Sequence, residues 1–405
     1  MKVNKYFPFA FVYFFVNSIG LPFGLTYTSI LSPFFYGWVT LRRKKEILIP
    51  FISILLIFAV IHISNGADVK SYLISTFSLL AVYIFGQAFY TFLKSCRNIE
   101  GIFWRLLKIN FIFCLIAIPI YFTSYREILW IRQYLTDGFE NFLRLKLFTY
   151  EASYYATLFT PLFFFFYLQI ILTQNKHKPW ILFVMIVLPY LLSFSMGVIS
   201  AVLISMSVTY FIFIKRLTRK KRVLDLVTGI LFIFIIFFPL LVIFFPDNVI
   251  FVRLSNIFSG ADSSGRGRTY EAFILASKML EQKSFLWGIG PGQVKLIGAE
   301  IIRDYYLYPL DHSVFAIPNA MAETLAIFGW VGLLLRVVIE FFLFFYTRVW
   351  TNYFRLLLFV FIFLYQFSGS FITNLAEYVI WILAFTNIFP QFDVLNNIKK
   401  PQVKL

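Results

Sequence analysis

Only two cysteines occur in 405 residues, Cys96 in a basic loop and Cys114 inside an apolar run, so no disulfide framework holds this chain. Histidine is nearly as scarce, with three copies at His62, His177 and His312. No His/Cys/Asp/Glu group has metal-ligand spacing, so neither a metal nor any other cofactor is expected. Charge is thin too, at 14% of residues, and 36 basic against 19 acidic side chains give a net charge of +17. That excess does not indicate nucleic acid, because Lys and Arg gather at the ends of apolar runs rather than on one face. A dinucleotide fingerprint is missing, and no internal repeat relates 1–200 to 201–405, as paired half-repeats of a transporter would require. No cleavable leader is expected either. Lys2 and Lys5 precede an apolar run that lacks an Ala-x-Ala-like exit and leads straight into another.

What is abundant is apolar. Hydrophobic residues make up 60% of the chain, aromatics 21%, with 55 Phe and a mean hydropathy of +0.81. A soluble domain of this length has no interior large enough for them, so the bilayer must be their solvent. Runs such as Leu162-Phe163-Phe164-Phe165-Phe166 suit lipid-facing helix surfaces. A crossing helix needs about twenty apolar residues, with seventeen near the lower limit. By that ruler the first nine spans lie near 6–23, 25–41, 47–63, 71–93, 109–124, 152–173, 180–194, 197–214 and 223–245. Three more follow near 319–346, 356–372 and 375–390. The run from Trp180 to Ile214 is too long for one helix and is divided at Ser193-Phe194-Ser195-Met196-Gly197, where small residues permit a turn. The expected fold is therefore an all-α integral membrane protein of about twelve spans. Residues 1–245 hold the first nine, 246–318 a large loop, 319–390 the last three and 391–405 a tail.

Alternating twelve spans sorts the charges. One side receives Lys2 and Lys5, the Arg42–Lys45 cluster, Lys215–Arg222 and the basic residues of four other segments, 23 of the 36 Lys and Arg in all. The other side receives twelve, and Arg336 lies within a span. The positive-inside rule then places both termini in the cytoplasm and the loops 125–150 and 246–318 outside. The smaller loop carries Arg126, Arg132, Arg144 and Lys146 beside Glu127, Asp137 and Glu140; Trp130, Ile131 and Leu135 give it a weakly amphipathic helical character. The larger reads as a Gly-rich segment, a helix near 269–283, a turn, and a second helix near 293–306. Arginine is normally scarce on an outer face, and an anionic substrate is the simplest reason to hold it there.

Arg266-Gly267-Arg268 ahead of an amphipathic helix, Trp287-Gly288-Ile289-Gly290-Pro291-Gly292, His312, Glu323 and Gly329-Trp330-Val331-Gly332 together resemble the O-antigen polymerase and ligase superfamily. Glu151-Ala152-Ser153-Tyr154-Tyr155 is similar to a Glu-Pro-Ser-aromatic element of the polymerases, with Ala152 in place of Pro. The paired Arg-x(10)-Gly signatures of some members do not begin at Arg266 or Arg268. The resemblance implies a bacterial inner-membrane glycosyltransferase with a large periplasmic loop, acting on a polyprenyl-diphosphate-linked oligosaccharide among membrane lipids. It further implies a chain-length regulator as partner. Polymerase is the leading expectation; a ligase transferring glycan to a lipid core and a polysaccharide flippase are the alternatives.

Lipid diphosphate is already a good leaving group, so the transfer needs positive charge facing the developing anion and a base for the acceptor hydroxyl. Arginine offers a bidentate fork for phosphate oxygens, which makes Arg266 and Arg268 the candidate diphosphate ligands. His312 is the candidate base because imidazole ordinarily titrates near neutrality; Glu151, partly desolvated at a loop–span junction, competes with it. Arg126, Arg132 and Glu323 are secondary candidates. The plainer readings are a solvated turn for the arginines and a surface position for His312. Gly288, Gly290 and Gly292 are assigned a structural turn. Arg336 and Glu340, at i,i+4, look like a self-neutralising pair, while Glu323 and Glu377 lie in or beside spans with their direction open.

Overall fold

The computed structural model describes residues 5–18, 21, 26–133, 142–172, 179–213, 248, 251–252, 255–256, 259, 263–307 and 316–394. The span expected at 223–245 and the basic segment 215–222 lie outside them, as does His312.

Helices dominate. They run α1 (Phe7–Phe15), α2 (Tyr27–Ile30), α3 (Ser32–Arg43), α4 (Ile49–Ser64), α5 (Val69–Ser95) and α6 (Ile99–Tyr121). After the smaller loop come α7 (Ala152–Leu172), α8 (Pro179–Ser193) and α9 (Met196–Ile212). The larger loop contributes α10 (Ser263–Arg268), α11 (Tyr270–Glu281) and α12 (Ile297–Tyr306), and the chain closes with α13 (Ala320–Tyr346), α14 (Tyr353–Tyr365) and α15 (Leu375–Phe385). Among the described residues four helical stretches, α5, α6, α7 and α13, are long and apolar enough to cross a membrane. Ile54, Ile57 and Val60 of α4 and Leu334, Val338 and Phe342 of α13 remain exposed. Faces this apolar are compatible with lipid and not with water.

Local chemistry sets several ends. Asp68 caps α5 by accepting from the Ser71 amide at 2.8 Å, and Asn98 caps α6 through the Gly101 amide at 2.7 Å. The run from Trp180 breaks where expected: Phe194 takes a left-handed φ of 46° between α8 and α9.

Three expectations are corrected. The Phe163–Phe166 run does not face lipid. Phe164, Phe165 and Phe166 are fully buried, because α7 is wrapped by α8, α9, α14 and α15. A helix that is apolar all round belongs at the centre of a bundle. The smaller loop is not an amphipathic helix: a 3-10 turn at Ser124–Ile128 leads into an antiparallel hairpin, β1 (Trp130–Gln133) with β2 (Phe142–Leu145), pairing Trp130 with Leu145 and Arg132 with Leu143. Trp130 is buried and Arg132, two residues on along the same face, is exposed, so burial falls away along the strand from the Trp130 end. Its indole N–H donates to the Ala117 carbonyl at 2.9 Å, which seats the hairpin on α6. Arg144 is buried and donates to Gln133 at 2.5 Å and to the Ser193 carbonyl at 3.0 Å, tying the hairpin to the end of α8. The chain is thus not wholly α.

The third correction concerns α13. At Gly329 the backbone leaves helical geometry (φ 64°, ψ −166°), so the stretch is two arms, 320–328 and 330–346. The Arg336 guanidinium donates to Thr324 Oγ1 at 3.0 Å and to the Ala320 carbonyl at 3.5 Å. In a straight helix Ala320 and Arg336 would stand about 24 Å apart at 1.5 Å per residue. The short arm therefore folds back along the long one.

Candidate functional site

The larger loop is fastened to the helices before its arginines are placed. Chain 285–290 runs beside the break in α13. The Ile289 and Gly290 amides donate to the carbonyls of Ala326 and Ile327, both at 2.9 Å, while the Trp330 and Val331 amides donate back to Phe285 and Leu286. A Cβ at Gly288 (φ +82°) would sit 2.5 Å from the Ile327 carbonyl oxygen, and one at Gly329 (φ +64°) 2.3 Å from that of Leu286. Glycine is what permits both the left-handed backbone and the close approach. Gly290 and Gly292 are also at positive φ.

The same turn is pinned from the other side by His62, buried in α4. Its Nε2 lies 2.7 Å from the Trp287 carbonyl, which can only accept, so Nε2 carries the proton and Nδ1 faces the Tyr72 hydroxyl at 3.3 Å. Gln293 exchanges two hydrogen bonds, each 3.1 Å, with the backbone of Asp68, and Lys283 donates to the carbonyl of Asn65 at 2.8 Å.

On that platform α11 buries Ala272, Leu275, Ala276 and Met279. Arg266 and Arg268 belong to α10, a short helix where a Gly-rich coil was expected. Arg266 Nε lies 3.4 Å from the nearly buried Glu271, whose other oxygen accepts from Tyr306 at 3.1 Å. Arg268 Nη2 lies 3.9 Å from Glu151, immediately before α7. Residues 117 positions apart, one from the larger loop and one at the end of the smaller, thereby share one partly exposed spot. Each guanidinium commits one nitrogen to a carboxylate and remains 36–43% exposed, so donors are left for a ligand. Pairs this exposed contribute little stability.

Tyr365 of α14 is close enough to feel the charges of Glu151 and Arg268. Tyr150 stacks on Tyr154 with ring centroids 4.7 Å apart. Burial, reinforced by Tyr154 and Glu151, pushes the Tyr150 phenol well above its ordinary value, so it stays a neutral wall. The Asn319 amide donates to the Arg268 carbonyl at 2.9 Å and to Phe367 at 2.6 Å, while its oxygen caps the short arm of α13 through the Ala322 amide. The backbone of Arg268 is thus tied to the same arm that Arg336 holds.

The secondary candidates go elsewhere. Arg132 pairs with Glu127 at 3.7 Å within its own loop, and Arg126 lies on the 3-10 turn beside it. Glu323 accepts from the Ile372 amide at 2.8 Å, which links the short arm to the α14–α15 turn. Arg336 and Glu340 do pair, at 3.1 Å, but the pair is part of a larger group. Arg336 also binds the fully buried Glu377 and donates to Gln366 Oε1 at 2.7 Å. Gln366 donates to Glu340 at 2.9 Å, and Ser370 donates to Glu377.

Sequence reasoning missed Glu271, Asn319, His62 and Tyr365. Asn319 had a local signal, a capping residue just ahead of an apolar run. His62 and Tyr365 had none. Among the described residues no group of His, Cys, Asp and Glu is placed to hold a metal ion. No protein-family model matches the chain, and no curated protein does.

Proposed function

We propose that this chain is a membrane glycosyltransferase of the O-antigen polymerase kind, joining polyprenyl-diphosphate-linked oligosaccharides at the outer face of the bacterial inner membrane. In this reading about twelve spans carry the site, with both termini cytoplasmic and the loops 125–150 and 246–318 outside. The observation that carries it is the meeting of Arg268 with Glu151 beside Arg266, which puts phosphate-binding forks and a carboxylate at one accessible place. Arg266 and Arg268 hold the diphosphate. An acceptor hydroxyl attacks the anomeric carbon, the bond from that carbon to the diphosphate oxygen breaks, and the diphosphate leaves with the electron pair. The hydroxyl proton passes to Glu151, the carboxylate standing next to the grip.

Repeat-unit polymerisation by membranes containing the full-length protein tests this. Arg268→Ala should slow chain extension on the order of ten- to a hundredfold, the worth of one charge-assisted contact. Arg268→Lys, which keeps the charge without the fork, should fall between that variant and wild type, both accumulating normally in the membrane. Unchanged polymer length in both overturns the reading. Glu151→Gln should abolish extension while donor binding persists. If His312→Ala does so instead and Glu151→Gln extends normally, the base is His312. A transporter would move the substrate without lengthening it, and a ligase would load a lipid core with no repeat-length ladder. Reporter fusions check the orientation: one after Gly265 should report the outer face and one after Arg43 the cytoplasm, and the reverse pattern removes the site from its substrate.

A further inference from the structure

α1 and α3 run antiparallel: Phe9 meets Phe35 edge-on and Trp38 at a tilt, at centroid separations of 5.5 and 6.0 Å, while Asn17 beyond the end of α1 accepts from Thr28 ahead of α3 at 3.0 Å. Between them opens a groove of about 510 Å³, floored by Phe9, Val12, Leu31 and Trp38. One helical turn back from Phe9 is Lys5, and one turn on from Trp38 is Arg42; the antiparallel arrangement brings both cations to the same end of the groove, and both line it. Arg42 is exposed and makes no ion pair among the described residues, and Lys5 leans over the Tyr6 ring at 5.2 Å. Elsewhere the polar ends of this groove's neighbours are matched: Arg43, next in sequence, donates to Gln87 at 2.9 Å. An apolar trough with two cations at one end, neither in an ion pair among the described residues, is complementary to an amphiphile with an acidic head and an acyl tail.

We infer that this groove binds an anionic phospholipid, its phosphate between Lys5 and Arg42 and one acyl chain along Phe9, Val12 and Leu31. Basic pockets between membrane helices hold acidic head groups for this reason. The inference is independent of the glycosyl-transfer reading.

Trp38, inside the groove, supplies the probe. Full-length protein is reconstituted in phosphatidylcholine vesicles containing a small fraction of tail-brominated phosphatidylglycerol, or of tail-brominated phosphatidylcholine at the same fraction. The Trp38 contribution to quenching is the difference between wild type and Trp38→Phe. It should favour the acidic lipid by roughly fivefold or more, since each cation near the surface contributes a factor of that order. Lys5→Gln with Arg42→Gln should erase the preference while leaving the quenching by brominated phosphatidylcholine intact. Equal quenching by the two head groups overturns the inference, as does a preference that survives the double variant. Competition by added inorganic phosphate would show that the cations read phosphate without a tail, and would overturn the lipid assignment.

Discussion

Replacing Arg336 by Gln should be among the most damaging single changes in this chain. Among the described residues the side chain is the only cation in a group that includes Glu340, 6% exposed, and Glu377, fully buried. Without it two neighbouring carboxylates stand in a low-dielectric interior with only Gln366 and Ser370 to donate to them. Hydrogen bonds between membrane helices average about 0.6 kcal/mol each, so if Arg336 acted only as a donor the loss would be modest. Stranding one side of a buried ion pair costs more, about 3–5 kcal/mol. The purified full-length protein, unfolded in detergent mixed with increasing dodecyl sulfate, gives the measurement. Arg336→Gln should shift the transition by that amount, and adding Glu377→Gln should recover part of it, because the second change removes the more deeply buried of the two stranded carboxylates. A single variant costing less than about 1 kcal/mol would refute the reasoning, and so would a double variant no more stable than the single.

Two further outcomes follow from the loop platform. A Cβ at Gly292 (φ +79°) would sit 2.3 Å from the Ser71 carbonyl oxygen, so Gly292→Ala should cost about 2–5 kcal/mol, while Gly37→Ala, with open space around it, should be near neutral in the same unfolding assay. Equal stability of the two variants would contradict that placement. The Ser71 amide holds the Asp68 carboxyl below its ordinary value of 3.8, so its stabilisation is complete above that pH and is lost as pH falls through the lowered folded value. The stability deficit of Asp68→Ala should accordingly shrink in strong acid, and a deficit independent of pH would show that the cap contributes nothing.

Which parts of this architecture were legible follows from the range over which each signal acts. The starts of α7, α9 and α13 were readable because apolar runs and small-residue breaks are local. So was the pairing of Arg336 with Glu340, one turn apart on a helix. The α6 start was placed ten residues late because Glu100, Arg105 and Lys108 interrupt the hydropathy without interrupting the helix. Four-residue strands are too short to distinguish a period of two from one of 3.6, which is why the Trp130 hairpin passed for an amphipathic helix. The Phe163–Phe166 run was misassigned for a different reason. Lipid and a protein interior are both apolar, and only packing against α8, α9, α14 and α15 distinguishes them. At the candidate site, the residue types at Arg266, Arg268 and Glu151 were visible, but their meeting is a long-range contact that no local pattern encodes. The same holds for Glu377, 41 positions from Arg336.

The break at Gly329 also bears on how the protein assembles. Within an apolar solvent a helix cannot open unless other groups take up the backbone bonds it releases. Here Phe285–Gly290 take them up, and that segment leaves the ribosome before residue 320 does. When the last helices arrive, the strip of chain that bends α13 is already made. Should it fail to dock, the apolar stretch from Ala320 to Tyr346 has every reason to stay straight, carrying Arg336 away from Ala320 and Thr324 and the arm away from Asn319's hold on Arg268. The loop strip, the bent helix and the buried charges therefore form as one cooperative step, and a defect in any of them is a maturation defect in all three.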